Sequence, residues 1–247
     1  MGGHSHWKGI KEKKGKLDKA RGKLFAKLLR AIEIASRQGD SNPENNPTLF
    51  DAIQRAKDAS VPKDNIDRAV ARGSGETGGE KYDTIFYEGY APGGVAMLVE
   101  GLTNNRNRTS QDLRSIFSKY GGSLGEPGSV KWMFDKRGVI VVAKSASDEE
   151  RLMEIALDAG AEDVRDAGDD YEVVCEQSVF VAVRDAVDAA SIERLSAEVT
   201  MLPQNTVAVD GENAKKVLRM MEALEDHDDV QAVYANFDIP DEVFAEV

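Results

Sequence analysis

Val139–Met201 reads VIVVAKSASDEERLMEIALDAGAEDVRDAGDDYEVVCEQSVFVAVRDAVDAASIERLSAEVTM. Short β-branched runs alternate in it with longer segments of helical period. The spacing predicts strand Val139–Ala143, helix Asp148–Ala159, a strand near Asp163–Arg165, strand Tyr171–Glu176, helix Ser178–Ala190 and strand Leu195–Met201. That is the β-α-β-β-α-β order of a ferredoxin-like unit. The flanks suggest a second such unit, cut in two by the first. Strand Gly94–Gly101, helix 109–120 and strand Ser129–Phe134 precede it; strand Thr206–Val209, helix Glu212–Glu225 and strand Val230–Phe237 follow it. A further strand, Thr84–Tyr90, leads in through the turn Ala91-Pro92-Gly93. Gly138 and Pro203 mark the two crossings.

Residues 1–75 carry the period of helices. In Arg21–Gln38 the apolar residues Leu24, Phe25, Leu28, Leu29, Ile32 and Ala35 fall on one arc. Lys23, Lys27, Arg30 and Arg37 fall on the opposite side, as a cation row facing solvent. Gly39 stops this helix, and Gly39–Asn46 is a polar loop. Asn46-Pro47 is an N-cap with proline at the first helical position, opening a helix to about Ser60. Another starts near Pro62, with Ile66, Ala69 and Val70 inward, and ends at Gly73. The run GSGETGGE (Gly73–Glu80) is a linker. The fold class expected is α+β: an N-terminal helical domain plus two ferredoxin-like α/β domains, one inserted in the other. The expected domains are 1–75, 81–134 with 204–247, and 138–203.

The 247 residues have a formal net charge of −12, which hides an asymmetry. Residues 1–75 hold 16 Lys/Arg against 9 Asp/Glu, residues 76–144 hold 9 against 8, and residues 145–247 hold 7 against 27. With a screening length of about 8–10 Å, the basic end acts locally whatever the acidic end carries. It points to a polyanion. No apolar run approaches the about 20 residues of a membrane span, and no signal-peptide core follows the basic start. The single cysteine, Cys175, excludes an intramolecular disulfide and argues against a cysteine zinc site. The expected compartment is the cytoplasm.

Several separate strings then carry a resemblance: Gly3-His4-Ser5-His6-Trp7, Tyr87-Glu88-Gly89-Tyr90-Ala91-Pro92-Gly93-Gly94, Asn105-Arg106-Asn107-Arg108-Thr109, Gly121-Gly122-Ser123-Leu124-Gly125, and Leu224-Glu225-Asp226-His227-Asp228-Asp229-Val230-Gln231. In this order, over essentially the whole chain, the set resembles the YebC family. Gly2-Gly3 departs from the Met-Ala-Gly start expected of it. The resemblance implies three domains, one helical and two α/β, and a role in gene expression. Bacterial members are described as probable DNA-binding transcriptional regulators. A mitochondrial relative is a translational activator, and some bacterial members are linked to ribosomes stalled at proline runs.

The candidate binding residues begin with the terminal cluster Lys8, Lys11, Lys13, Lys14, Lys16, Lys19, Arg21 and Lys23, among which only Glu12 and Asp18 are acidic. Such residues make sequence-independent phosphate contacts. Trp7 either stacks on a base or plugs the tail onto the helices. Lys27, Arg30 and Arg37 continue the face. Arg106 and Arg108, beside Asn104, Asn105 and Asn107 at a helix start, either hold phosphate or pair with Glu88 or Glu100 while the asparagines cap. Tyr87 and Tyr90 are either core or base-stacking. The loop Gly39–Asn46 is too long for a helix-turn-helix turn, so base reading by a recognition helix is not supported. Thr109 with Asp112 fits a cap.

No catalytic residue, metal site or cofactor is expected. Gly2-Gly3-His4 would chelate copper or nickel only as a chance terminal match. Cys175 alternates into a strand core, and His227 lies in what reads as a solvated acidic turn without a nucleophile beside it. The partner expected is nucleic acid, DNA or ribosomal RNA, with a ribosome as one carrier of it; no membrane and no small-molecule substrate is expected. The reading is a non-enzymatic, nucleic-acid-binding regulator, with a ribosome-associated translation factor as the alternative.

Overall fold

The computed structural model describes residues 17–75, 82–209 and 211–239, with side chains from residue 22 onward. Three helices come first: α1 (Leu17–Gln38), α2 (Pro47–Asp58) and α3 (Lys63–Ser74). Ile32, Ala35, Leu49, Ile53, Ala56, Ile66 and Ala69 close their common core. Leu24, expected inward, is 47% exposed, because burial along α1 is concentrated in its C-terminal half. Asn46 does more than cap. Its Oδ1 accepts from the N–H of Leu49 at 3.1 Å, and its Nδ2 donates to the carbonyls of Ala35 (2.9 Å) and Asp40 (2.8 Å). One buried amide thus satisfies orphan groups at the end of α1 and the start of α2. Gly73 lies inside α3 rather than ending it. A Cβ there would sit 2.6 Å from Ser36 Cβ, and closer still to the carbonyl of Glu33 on α1. The glycine lets the two helices touch.

Next, β1 (Asp83–Ala91) and β2 (Val95–Thr103) form an antiparallel hairpin across Pro92–Gly94. Gly93 and Gly94 have φ of 81° and 79°, which favours glycine. Then follow α4 (Arg106–Lys119), the short β3 (Ser123–Leu124) and, after a long excursion, α7 (Gly211–Glu225) and β9 (Val230–Ala235). The sheet order is β3-β1-β2-β9. Both helices cover one face, with Leu113, Phe117, Leu218 and Met221 against Met97, Val99 and Val233.

The excursion is a second four-stranded sheet. It contains β4 (Phe134–Ala143), α5 (Glu149–Asp158), β5 (Asp163–Ala167), β6 (Asp170–Glu176), α6 (Phe180–Ala189) and β7 (Arg194–Pro203). The order β5-β6-β4-β7, with antiparallel pairs throughout, is the ferredoxin-like arrangement. Cys175 is buried in its core. Mixed helix and sheet, helical part first, therefore stands as expected.

The strand assignment of the first sheet does not. Ser129–Phe134 is no strand: Lys131–Met133 makes a tight 3₁₀ turn, and Phe134 already belongs to β4. The inner position beside β2 is taken by β1. Thr206–Val209 yields only β8 (Val207–Ala208), paired parallel with β10 (Phe237–Asp238). A three-residue turn closes β1 on β2 at far less entropic cost than a strand returning from beyond the inserted unit.

Glu88 explains the lost strand. It is 5% exposed, and its carboxylate accepts the N–H groups of Gly128, Val130 and Lys131, each at 2.7 Å. Two of those donors, Val130 and Lys131, belong to the expected strand and would have served its ladder. Burial pushes the carboxyl upward, but the three N–H bonds outweigh it and hold it below the ordinary value. Its stabilisation is therefore present above the unfolded carboxylate pKa and lost as pH falls through the lowered folded value. Glu88→Gln turns an amide NH₂ towards N–H donors. It should cost about 2–3 kcal/mol at pH 7 in urea denaturation, and the gap to wild type should narrow in acid.

The remaining face of the first sheet meets the second unit. Ala96, Leu98 and Tyr234 pack there with Val130, Phe134 and Met201. Tyr234 donates to Glu100 Oε2 at 3.1 Å, and Arg55 of α2 reaches the same neighbourhood with Glu198.

Candidate nucleic-acid interface

At the end of α7 the chain turns through Asp226, His227, Asp228 and Asp229 into β9. A helix C-terminus carries partial negative charge and unpaired carbonyls, so acids placed there need cations from elsewhere. α1 supplies them. Lys23 donates to the carbonyl of Asp226, with Nζ 3.7 Å from its carboxylate and 3.9 Å from that of Asp228. Lys27 donates to the carbonyl of Glu225. Arg30 Nη2 lies 3.5 Å from Asp229 Oδ1, and its guanidinium stacks 4.5 Å over the Tyr82 ring. The 23-27-30 spacing puts all three on one stripe of α1.

Asp229 is the hub. It is 4% exposed. Its Oδ2 accepts from Arg108 Nη2 at 2.9 Å, Thr109 Oγ1 at 2.8 Å and Thr103 Oγ1 at 3.4 Å. Burial pushes its carboxyl up, yet the bonds from Arg108 and Thr109, with the charges of Arg108 and Arg30, hold it below the ordinary value. Its N–H donates to His227 Nδ1 at 3.1 Å, and His227 Nε2 faces Asp112 at 3.4 Å. The acidic turn read as solvated is thus anchored at two of its residues, while the Asp226 and Asp228 side chains stay about 80% exposed or more.

The predicted residues are dispersed by this arrangement. Lys23, Arg30 and Arg108 join Tyr82, Asn104, Asp112 and the turn around an open cleft of about 590 Å³. Lys27 is packed behind it, where burial, then the charge of Lys23, push its ammonium down to about 8 against the pull of Glu225, Asp228 and Asp226. Arg37 is turned away: it bonds Glu33 at 2.8 Å, which also takes Arg72 at 3.1 Å. Arg106 pairs with Asp83 at 3.1 Å. Neither Arg106 nor Arg108 pairs with Glu88 or Glu100, Arg108 being held by Asp229. Asn105, not Thr109, caps α4, accepting from the N–H of Arg108 at 3.1 Å. Tyr87 is core, and Tyr90 is 38% exposed with its hydroxyl on the carbonyl of Ser129. Lys8, Lys11, Lys13, Lys14 and Lys16, with Trp7, lie outside the described residues, as do the side chains of Lys19 and Arg21.

Asp229 was missed as a site residue. The signal was there in the sequence: Glu225, Asp226, Asp228 and Asp229 crowd the negative end of a helix whose last turn holds no basic residue.

Burial pushes the Cys175 thiol up to about 11, which disarms it as a nucleophile at neutral pH. No group of three or more His, Cys, Asp or Glu able to hold a metal occurs among the described residues. No helix among them is long and apolar enough to cross a membrane. Fold and cleft define a class: a helical part carrying a cation stripe, docked by ion pairs onto the first of two α/β sheet units.

The comparisons give the family. Residues 5–76 match the TACO1/YebC protein N-terminal domain, and residues 82–237 match the TACO1/YebC second and third domain. A protein of Desulfatibacillum aliphaticivorans is 54% identical over 246 residues, covering all of both chains. One of Beutenbergia cavernae is 55% identical over 249 residues, covering 100% of this chain and 99% of its own. Both bear the name probable transcriptional regulatory protein. The crystal structure of a conserved hypothetical protein of Aquifex aeolicus superposes with a TM-score of 0.80 at 44% identity, over 93% of this chain and 95% of that one. The chain belongs to the TACO1/YebC family.

Proposed function

We propose that the protein is a non-enzymatic regulator of transcription that holds DNA by its phosphate backbone through the N-terminal basic segment, Lys8 to Lys23. The observation carrying this is charge placement: eight Lys/Arg within sixteen residues, in a chain whose net charge is −12. The names of the similar proteins support the transcriptional side. The disarmed Cys175 thiol supports the non-enzymatic side. Arg106, 66% exposed, and the cleft cations Arg30 and Arg108 extend the contact set.

Reversing Lys23, Lys27 and Arg30 would be a poor test, since it also breaks the docking of α1. Lys11, Lys13, Lys14 and Lys16 lie outside the described residues, and neutralising them to Gln removes none of the bonds named above. Binding of a labelled duplex of roughly 30 base pairs, followed by anisotropy, should weaken about 100-fold at low salt, and the slope of log K against log[salt] should fall by about 3. Unchanged affinity and slope, or a wild-type chain that binds isolated ribosomes but no duplex, would overturn the reading.

A further inference from the structure

The stripe Lys23-Lys27-Arg30 has the spacing of a phosphate-contacting helix face, yet it is occupied. Its occupant has the chemistry of a nucleic-acid strand. Two main-chain carbonyls and three carboxylates present a curved row of oxygens to three cations. We infer that the α7–β9 turn is an internal stand-in for phosphate, so that the turn and a polyanion compete for one face of α1. The inference rests on the reading above and adds its regulation: the docked arrangement is the restrained one.

Three features favour competition over a permanent joint. The contact is made of charge, carbonyl oxygen and the stacking of Arg30 on Tyr82, whereas the buried apolar residues of the helical part and of the first sheet form separate clusters. Lys23, Asp226 and Asp228 keep side chains 43%, 80% and 85% exposed, and pairs so placed are worth little each. The Lys27 ammonium, pushed down to about 8, is not fully repaid for its burial by the turn. A second point where the helices meet the sheets, around Arg55, Tyr234 and Glu100, uses none of these groups, so exchange at the stripe leaves it in place.

The test compares two charge-matched variants of the full chain. Asp226→Asn with Asp228→Asn removes the exposed carboxylates and keeps the carbonyls. Glu154→Gln with Asp158→Asn removes two exposed acids of α5. Anisotropy with the same labelled duplex should show the first pair binding about fivefold tighter than wild type and the second less than about twofold tighter. Equal gains would show a net-charge effect alone and overturn the inference. No duplex binding by any of the three proteins would overturn the proposed function, and the inference with it.

Discussion

Asp229→Ala should cost about 3–4 kcal/mol of stability, the largest loss from any single polar residue of the cleft. Three effects act together. The buried hydroxyls of Thr103 and Thr109 lose the carboxylate they share, leaving Thr109 the weaker acceptor offered by the Asn105 carbonyl at 3.1 Å. Arg108 and Arg30 lose the carboxylate between them. The start of β9, which pairs with β2 at Gly101, loses its tether to α4. A charged hydrogen bond is worth about 1.5–3 kcal/mol, and breaking a buried ion pair about 3–5; the partial exposure of Arg108 places the sum towards the lower end. Asp229→Asn keeps the shape and should lose about half as much. The pH dependence has a definite sign. The wild-type carboxyl is held below the ordinary value, so its stabilisation is complete above the unfolded pKa and lost as pH falls through the folded one. The difference between wild type and Asp229→Ala in urea midpoints should therefore shrink on acidification. A constant difference from neutral pH to strong acid would show that the carboxylate charge contributes nothing.

Gly73→Ala should cost about 2–3 kcal/mol although alanine is the better helix former. Propensity alone would favour alanine by about 1 kcal/mol. The added methyl, however, would lie 2.6 Å from Ser36 Cβ and against the carbonyl of Glu33, and that carbonyl is backbone of α1 and cannot swing aside. α1 and α3 must part, loosening Ile32 and Ala35 from Ile66 and Ala69; overpacking of this sort costs about 1–3 kcal/mol and sometimes more. Gly22→Ala is the matched control. It sits in the same α1, with nothing within 4 Å of the added carbon, and should raise the melting temperature slightly. A Gly73→Ala protein that melts as high as Gly22→Ala would show that the helices do not pack as closely as described.

Neither glycine announces its packing in the sequence, where Gly22 lies near the start of one helical pattern and Gly73 at the end of another. Only the position of a neighbouring helix tells them apart. The same holds for Tyr87 and Tyr90, three residues apart: the β1 register sends one into the core and leaves the other at the surface. It holds for the cations too. Periodicity set Lys23, Lys27 and Arg30 opposite the apolar arc of α1 as a row facing solvent, whereas the structure packs that row onto the α7–β9 turn and partly buries Lys27. It could not say that the face meets the end of α7, some two hundred residues away.

What the sequence determined by itself was local or additive. The helix cap at Asn46, the β-α-β-β-α-β order of residues 138–203, the burial of Cys175 and the charge split between the two ends follow from short-range spacing, pattern and counting. The tertiary structure decided which strand lies beside β2, what Glu88 and Asp229 hold, and where the cations are spent. Each of these depends on a contact between segments distant in the chain, where loop-closure entropy and the need to satisfy buried carboxylates select one partner among many that the local pattern permits.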